Sequence, residues 1–355
     1  MVKSIYVTGF GAPGKTIVVY GLMKLLRSKG YKVGYFKPVS RGLNKIGPNE
    51  WVDDDVLAIK EAMGLKEDHK TISPVVIRRR FLELVEDREN IIQAIKSSYE
   101  KLSNDKDIVF IESYLAPYYL YSIGLSGYTI AKILESDVLF IIKDGEDAQV
   151  DEVIFWKDEL ESKGIKTLGV IFNAVPIHLM ERVKEFITPF LESRGISSFG
   201  TIPDKGEFMA PTLLDISSVL DAEVLEGEDY LDNLVEEILV GAMGAEAALK
   251  WLRRSRKPVI ITGGDRTELL LTLLEVKPSG LVLTGNLYPA LKVLTKAREK
   301  KVPILLVPYD TFATIERLRD IHGRITSYSL RKKEKLIMEA IEEGVDIDRF
   351  TKAVL

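Results

Sequence analysis

Residues 5–16 read Ile5-Tyr6-Val7-Thr8-Gly9-Phe10-Gly11-Ala12-Pro13-Gly14-Lys15-Thr16. An apolar run leads into Gly9, four residues intervene, and Gly14-Lys15-Thr16 closes a G-x-x-x-x-G-K-[ST] pattern. Val18, Val19, Leu22, Leu25 and Leu26 then recur at helical spacing. Strand, glycine loop and helix, in that order, form the context in which this motif cradles phosphates. Gly9, Gly11 and Gly14 free the backbone so that its N–H groups curl around an anion. The helix N-terminus adds donors and a favourable dipole. Lys15 supplies a point charge to the outer phosphates, and the Thr16 hydroxyl is placed to hold Mg²⁺. Pro13 has no N–H, so the nest has one donor fewer than usual.

Outward from this loop, strands and helices alternate, which predicts a parallel sheet covered on both faces. The second strand runs from Lys32 to Val39 and contains Lys37. Asp53-Asp54-Asp55 opens a helix through about Met63, where acids at a helix start either cap it or hold a metal. Residues 75–103 read as helical, with Arg78, Arg79 and Arg80 either on a solvated face or binding an anion. The third strand, Asp107 to Ser113, ends its apolar run on Glu112, beside the phosphate site if the sheet is parallel. A tyrosine-dense stretch, Tyr114 to Gly124, is either an aromatic substrate wall or a dimer contact. Further strands are expected at Val138–Ile142, Leu168–Phe172 and Phe199–Ile202, the last followed by Pro203-Asp204. Asn173, just after a strand, either reads a base or makes an Asx turn.

A long amphipathic helix is predicted over Asp232–Arg254. It leads to a second α/β unit with strands at Pro258–Thr262, Gly280–Thr284 and Val302–Val307. The polar strand ends of that unit, Asp265, Arg266, Thr284, Asn286, Asp310 and Thr311, are expected to converge on one side.

The chain has 355 residues, 46% hydrophobic and 29% charged, enough for two globular domains. A net charge of −4 argues against nucleic acid as the main partner. With no cysteine there are no disulfides, thiol nucleophiles or thiolate metal sites, and a reducing cytoplasmic setting is expected. The three histidines are far apart in sequence, which argues against zinc. No apolar run approaches a membrane span, and the N-terminal sequence reads as a strand, not a signal peptide.

Taken together, these landmarks resemble a family. Residues 1–230 are similar to the dethiobiotin-synthetase and cobyrinic-acid-diamide-synthetase branch of P-loop proteins. The whole chain resembles the N-terminal region of long phosphotransacetylases, a dethiobiotin-synthetase-like domain followed by a DRTGG domain. The stretches that carry this are Thr8–Thr16, Gly34–Val39, Asp53–Leu65, Ile111-Glu112, Gly169–Asn173, Ile202–Thr212, Leu220–Gly227, Val240–Met243, Gly264–Thr267, Leu283–Gly285 and Asp310-Thr311. The resemblance implies a P-loop NTPase sheet with helices on both faces (1–230) and a smaller DRTGG-like α/β domain (231–355). It implies ATP or ADP with Mg²⁺ as cofactors, Lys15 and Lys37 in the chemistry, and Lys37 binding the acid to be phosphorylated. It places Thr16, Asp55 and Glu112 around the metal, and Asn173 and Pro203 beside the nucleotide with the loop glycines. A small carboxylate substrate and a homodimer follow from the same likeness, with no role for nucleic acid or membrane. Ser113–Pro117 departs from the glycine-rich sequence common there, which puts dethiobiotin synthesis itself in doubt. The sequence to residue 355 holds no acetyltransferase domain, so acetyl transfer is not expected.

Overall fold

The computed structural model describes residues 2–11, 13–42, 44–47, 50–77, 80–143, 145–204, 206–207, 210–241, 249–250, 252–319, 321 and 326–355. They divide into two compact units: Met1–Phe208 with Ile325–Leu355, and Met209–Arg324.

Strands of the first unit are β1 (Lys3–Gly9), β2 (Val33–Phe36), β3 (Val39–Arg41), β4 (Asn44–Gly47), β5 (Glu50–Val52), β6 (Val75–Ile77), β7 (Ile108–Glu112), β8 (Asp137–Lys143), β9 (Thr167–Val175) and β10 (Ser198–Pro203). Six of them form a parallel sheet in the order β10-β9-β8-β1-β7-β2. The central strands are apolar on consecutive residues: Ile5, Tyr6 and Val7 are all buried, as is Ile108 through Ile111. Such runs need cover on both faces, which is why they belong to a parallel sheet and not to one with a wet face. Beside the sheet, β3 pairs with β6 in parallel, and β4 with β5 as a hairpin.

The helix expected over 75–103 is shorter than the sequence suggests. Pro74 is followed by Val75-Val76-Ile77, three β-branched residues that form β6, and the α-helix begins only at Arg88, ending at Ser103. It buries Ile91, Ile95, Tyr99 and Leu102. Of the three arginines, Arg78 and Arg79 lie outside the described residues; Arg80 is exposed and faces Glu83 at 3.8 Å.

The last thirty residues correct the expected division at 230. The helix Ser327–Gly344, opened by a Thr326–Ser329 capping box, packs on the P-loop helix Lys15–Ser28. Gly21 makes room for it: a Cβ there would lie 2.5 Å from Ile341. Tyr20 donates to Glu334 at 2.7 Å and Lys24 pairs with the same carboxylate at 3.0 Å. The terminal helix Ile347–Val354 puts Phe350 edge-on to Phe199 of β10, ring centres 5.3 Å apart. These helices therefore complete the core of the first unit and are not part of the second.

The second unit contains β11 (Glu223–Glu226), β12 (Glu237–Val240), β13 (Pro258–Gly263), β14 (Gly280–Thr284) and β15 (Ile304–Leu306), in the order β11-β15-β14-β13-β12. The last four are parallel and β11 is an antiparallel edge. Alternate residues of one strand feed two cores, as the period of two requires. Ile260, Leu281, Leu283, Ile304 and Leu306 pack with Leu270, Leu273 and Val293 on one face. Val259, Ile261, Val282 and Leu305 pack with Leu213, Ile216 and Leu318 on the other. The helix expected over 232–254 is instead a strand at Glu237–Val240, joined in register to β13. An apolar run as short as Ile238–Val240 does not distinguish helix from strand by periodicity, and the open edge of β13 decides it. Met243 and Ala247, also counted into that helix, lie outside the described residues; Leu249 and Leu252 are helical.

Among the described residues no helix is long and apolar enough to cross a membrane.

Candidate functional site

β1 ends at Gly9, where the chain passes close under β8: a Cβ on Gly9 would lie 2.2 Å from the Ile141 carbonyl oxygen and 2.9 Å from the Pro13 ring. Gly14 sits at φ 73°, ψ 33°, the left-handed conformation that turns the loop into the helix. The helix that follows has 14 residues, so its full dipole and unpaired N–H groups face the loop. Gly11 is also left-handed, at φ 64°, while Ala12 lies outside the described residues.

Two lysines flank this loop in contrasting states. Lys15 is partly buried and has no ion-pair or hydrogen-bond partner among the described residues. Burial pulls its ammonium below the ordinary lysine value, with the Glu112 carboxylate opposing. Lys37 is saturated. Its Nζ lies 2.5 Å from Asp55 Oδ2, 3.2 Å from Asp53 Oδ1 and 3.4 Å from Glu112 Oε1. Burial would lower it, but the three carboxylates outweigh burial and hold it well above the usual range.

Glu112 is the last residue of β7, opposite Val7 of β1. It is 1% exposed. The Thr16 hydroxyl donates to its Oε1 at 2.9 Å and the Tyr35 hydroxyl to its Oε2 at 2.9 Å. Burial pushes the Glu112 carboxyl up, against the pull of Lys37. Asp53 is likewise pushed up by burial and pulled down by Lys37. It also caps the helix Asp54–Met63, accepting from Asp55 N at 3.0 Å, and accepts from Arg41 N at 2.8 Å. Helix capping, one of the two roles expected of these acids, is combined in this residue with a charge pair to Lys37.

Thr16 Oγ1 and Glu112 Oε1, 2.9 Å apart, have the spacing of two neighbouring ligands on an octahedral Mg²⁺. Bonds of about 2.0–2.1 Å put adjacent ligands about 2.9 Å apart. These two residues fit the ion, which keeps several waters and takes phosphate oxygens for the rest. Asp55, expected beside them, has its Oδ2 turned to Lys37. Among the described residues no group of three or more acids and histidines is arranged as a protein-only metal cage.

Asn173 is fully buried in β9. Its amide donates to the Pro13 carbonyl at 2.8 Å and so ties the loop to the sheet. Its Oδ1 and the Thr8 Oγ1 have no hydrogen-bond partner among the described residues. Pro203 ends β10 opposite Val175, and Asp204 N returns to the Val175 carbonyl at 2.8 Å.

Tyr35 and Arg41 are not marked by the sequence reading, and Tyr114 enters it only as the start of the tyrosine-dense stretch. Tyr35 had a signal: it lies two residues before Lys37 on an extended segment, which puts both on one face. In the tyrosine loop, Tyr118 stacks on Tyr119, ring centres 5.2 Å apart, and on Trp156 at 6.5 Å, while Tyr119 meets Tyr114 edge-on at 6.3 Å.

In the second unit two of the three strand ends meet: Thr284 Oγ1 lies 3.2 Å from Thr311 Oγ1, and Gly285 N donates to the Tyr309 carbonyl at 2.7 Å. Asp310 caps its own helix through Ala313 N at 2.7 Å. Arg266 donates to the Gly241 carbonyl, pinning β12 to the turn after β13.

Residues 3–212 match the AAA domain family and residues 215–321 the DRTGG domain family. A phosphate acetyltransferase of Synechocystis sp. is 26% identical over 362 residues, covering 96% of this chain and 51% of that protein. The ATP-dependent dethiobiotin synthetase BioD of Clostridium kluyveri is 27% identical over 183 residues, covering 49% of this chain and 75% of that one. Among solved structures, the MinC:MinD cell division protein complex of Aquifex aeolicus aligns with a TM-score of 0.37 and 15% identity, over 57% of this chain and 82% of that one. The chain spans about half the length of the phosphate acetyltransferases it matches.

Proposed function

The chain belongs to the AAA domain family across its first 210 residues, with a DRTGG domain after it, and on that footing we propose that it binds ATP or ADP with Mg²⁺ at the loop Gly9–Thr16 and activates a small carboxylate or carbamate by phosphoryl transfer. The observation that carries the reading is the state of Lys15: a partly buried ammonium at the start of a long helix, without a partner among the described residues, next to carboxylates that are already paired with a different lysine. A free cation in that position is matched by a polyphosphate.

In the reaction, an oxygen of the acid attacks the γ-phosphorus, the new P–O bond forms, the bond to the bridging oxygen breaks, and the electron pair leaves on ADP. Negative charge from two anions meets at the transferred group. Lys15 stabilises it from the loop side, and the loop N–H groups hold the β-phosphate. Thr16 and Glu112 are the residues that would hold Mg²⁺, which supplies charge neutralisation when bound. Lys37 keeps Asp53, Asp55 and Glu112 in fixed positions, and Tyr35 fixes the rotation of Glu112. Asn173 holds the loop through the Pro13 carbonyl.

The test uses hydroxylamine, which captures an acyl phosphate as a hydroxamate. Candidate carboxylates are incubated with ATP and Mg²⁺, and ADP and hydroxamate are counted together. Equimolar formation, lost in Lys15→Ala, is the expected result. Release of ADP with no hydroxamate from any acid contradicts carboxylate activation.

A second reading is favoured by the extent of the relatives. Phosphate acetyltransferases share both domains and are about twice as long, so the pair also suits a nucleotide-responsive module that regulates a partner or an assembly such as a homodimer. Tight nucleotide binding without turnover selects it.

A further inference from the structure

The acid that the proposed chemistry requires must be held near Glu112, yet the lysine at that place is engaged on every side. Lys37 is 3% exposed and faces three carboxylates within 3.4 Å. One ammonium against three carboxylates leaves the cluster net negative, which repels an incoming anion. Another group must grip it.

Two unused polar groups border the cluster. Arg41 ends β3, and its main chain is fixed by the bond from its N–H to Asp53 Oδ2 at 2.8 Å. Asp53 is the same residue whose other oxygen faces Lys37. The Arg41 side chain is exposed, and its guanidinium has no ion-pair or hydrogen-bond partner among the described residues. Tyr114 lies two residues after Glu112, half-buried, with its ring edge-on to Tyr119 and its hydroxyl without a partner among the described residues. Lys37 faces both Asp53, which holds the Arg41 main chain, and Glu112, two residues before Tyr114, so the segments that carry Arg41 and Tyr114 border the same cluster.

We propose that Arg41 and Tyr114 form an oxyanion subsite on the rim of the Lys37 cluster, which takes the carboxylate or phosphate group of the molecule presented to the nucleotide. The subsite rests on the nucleotide reading for its role, though not for its existence. The guanidinium offers a two-pronged donor fork to the oxyanion, and the phenol a further donor from the side. The tyrosine stack behind Tyr114 restricts what the rest of the molecule can be, favouring an apolar or planar stretch next to the bound oxyanion. A cation at the rim also offsets the cluster's negative field.

The test is calorimetric, on the full chain, with inorganic phosphate and with succinate as separate probes. Because phosphate also suits the loop, each titration is repeated in Lys15→Ala. Binding that survives Lys15→Ala and weakens at least about tenfold in Arg41→Gln belongs to the subsite. Arg41→Lys, which keeps the charge and loses the fork, is expected to fall between. Tyr114→Phe is expected to weaken binding a few-fold, and Arg41→Gln to leave ADP affinity unchanged. Preference for phosphate or for succinate assigns the source of the oxyanion. Equal affinity in wild type and Arg41→Gln, or no binding of either probe at millimolar concentration, overturns the proposal. Loss of ADP binding with retention of Arg41-dependent anion binding would overturn the nucleotide reading alone.

Discussion

Both units set parallel strands against two apolar cores, yet they handle charge in opposite ways. In the first, ionised groups are buried at the carboxyl ends of β2, β5 and β7: Lys37, Asp53 and Glu112 are each under 5% exposed and depend on one another. In the second, the corresponding strand ends carry threonines, glycines and a capping aspartate, and the charge pairs lie on the outer helices, as with Glu275 between Lys296 and Lys300. Buried pairs add little to stability but cost a great deal when broken; surface pairs do little either way. The first unit thus concentrates buried charge at its strand ends, while the second keeps its charge pairs on the outside.

Lys37→Met should have the largest effect. It leaves two buried carboxylates without their cation and should cost the first unit about 3–5 kcal/mol, read by denaturant unfolding near neutral pH. Burial already pushes Asp53 and Glu112 above their ordinary values. A carboxyl raised in the folded state gains stability as pH falls through that raised value, so the deficit of the variant should shrink in mild acid. A deficit that grows in acid would contradict the buried-cluster account.

Phe350→Ala comes next, at about 3–5 kcal/mol for a buried aromatic. Hydrogen exchange should show protection lost in β10 and the P-loop helix while β13 and β14 stay protected. Loss confined to residues 210–319 would return the C-terminal helices to the second unit.

The smallest effect is expected at Glu275, held down to about 2, from an ordinary 4.5, first by its hydrogen bond from Lys296 and then by that from Lys300. Its contribution is present above pH 4.5 and is lost as pH falls towards 2, the opposite sign to the buried pair of the first unit. Glu275→Gln should flatten that part of the acid profile of the second unit slightly. An unchanged profile would mean that the surface pair contributes nothing.

Most of the sheet was legible because apolar runs ending in glycine or turn residues mark buried parallel strands, as at Ile108–Glu112 and Gly280–Thr284. Besides Val75–Ile77, two segments misled. Glu237–Val240 looks helical in isolation and becomes a strand only because β13 has an open edge. The helices after Ser327 follow the second domain in sequence, and nothing local says that Gly21 has left space for Ile341. At the site, the loop and Glu112 could be named from motif and strand position, and Lys37 only through the family resemblance. That Lys37 is saturated and Lys15 is not could not be read, because it depends on carboxylates brought in from the Asp53–Asp55 turn. The same holds for Asn173, whose bond to Pro13 joins residues 160 apart.

The most direct test of the central claim is calorimetric titration of the full chain with ATP and Mg²⁺, beside Lys15→Ala. The account predicts one site in the first unit, of micromolar or weaker affinity because Pro13 removes a donor, and at least about tenfold weaker in the variant. Equal affinity in the two proteins, or no binding by the wild type at millimolar ATP, would contradict it.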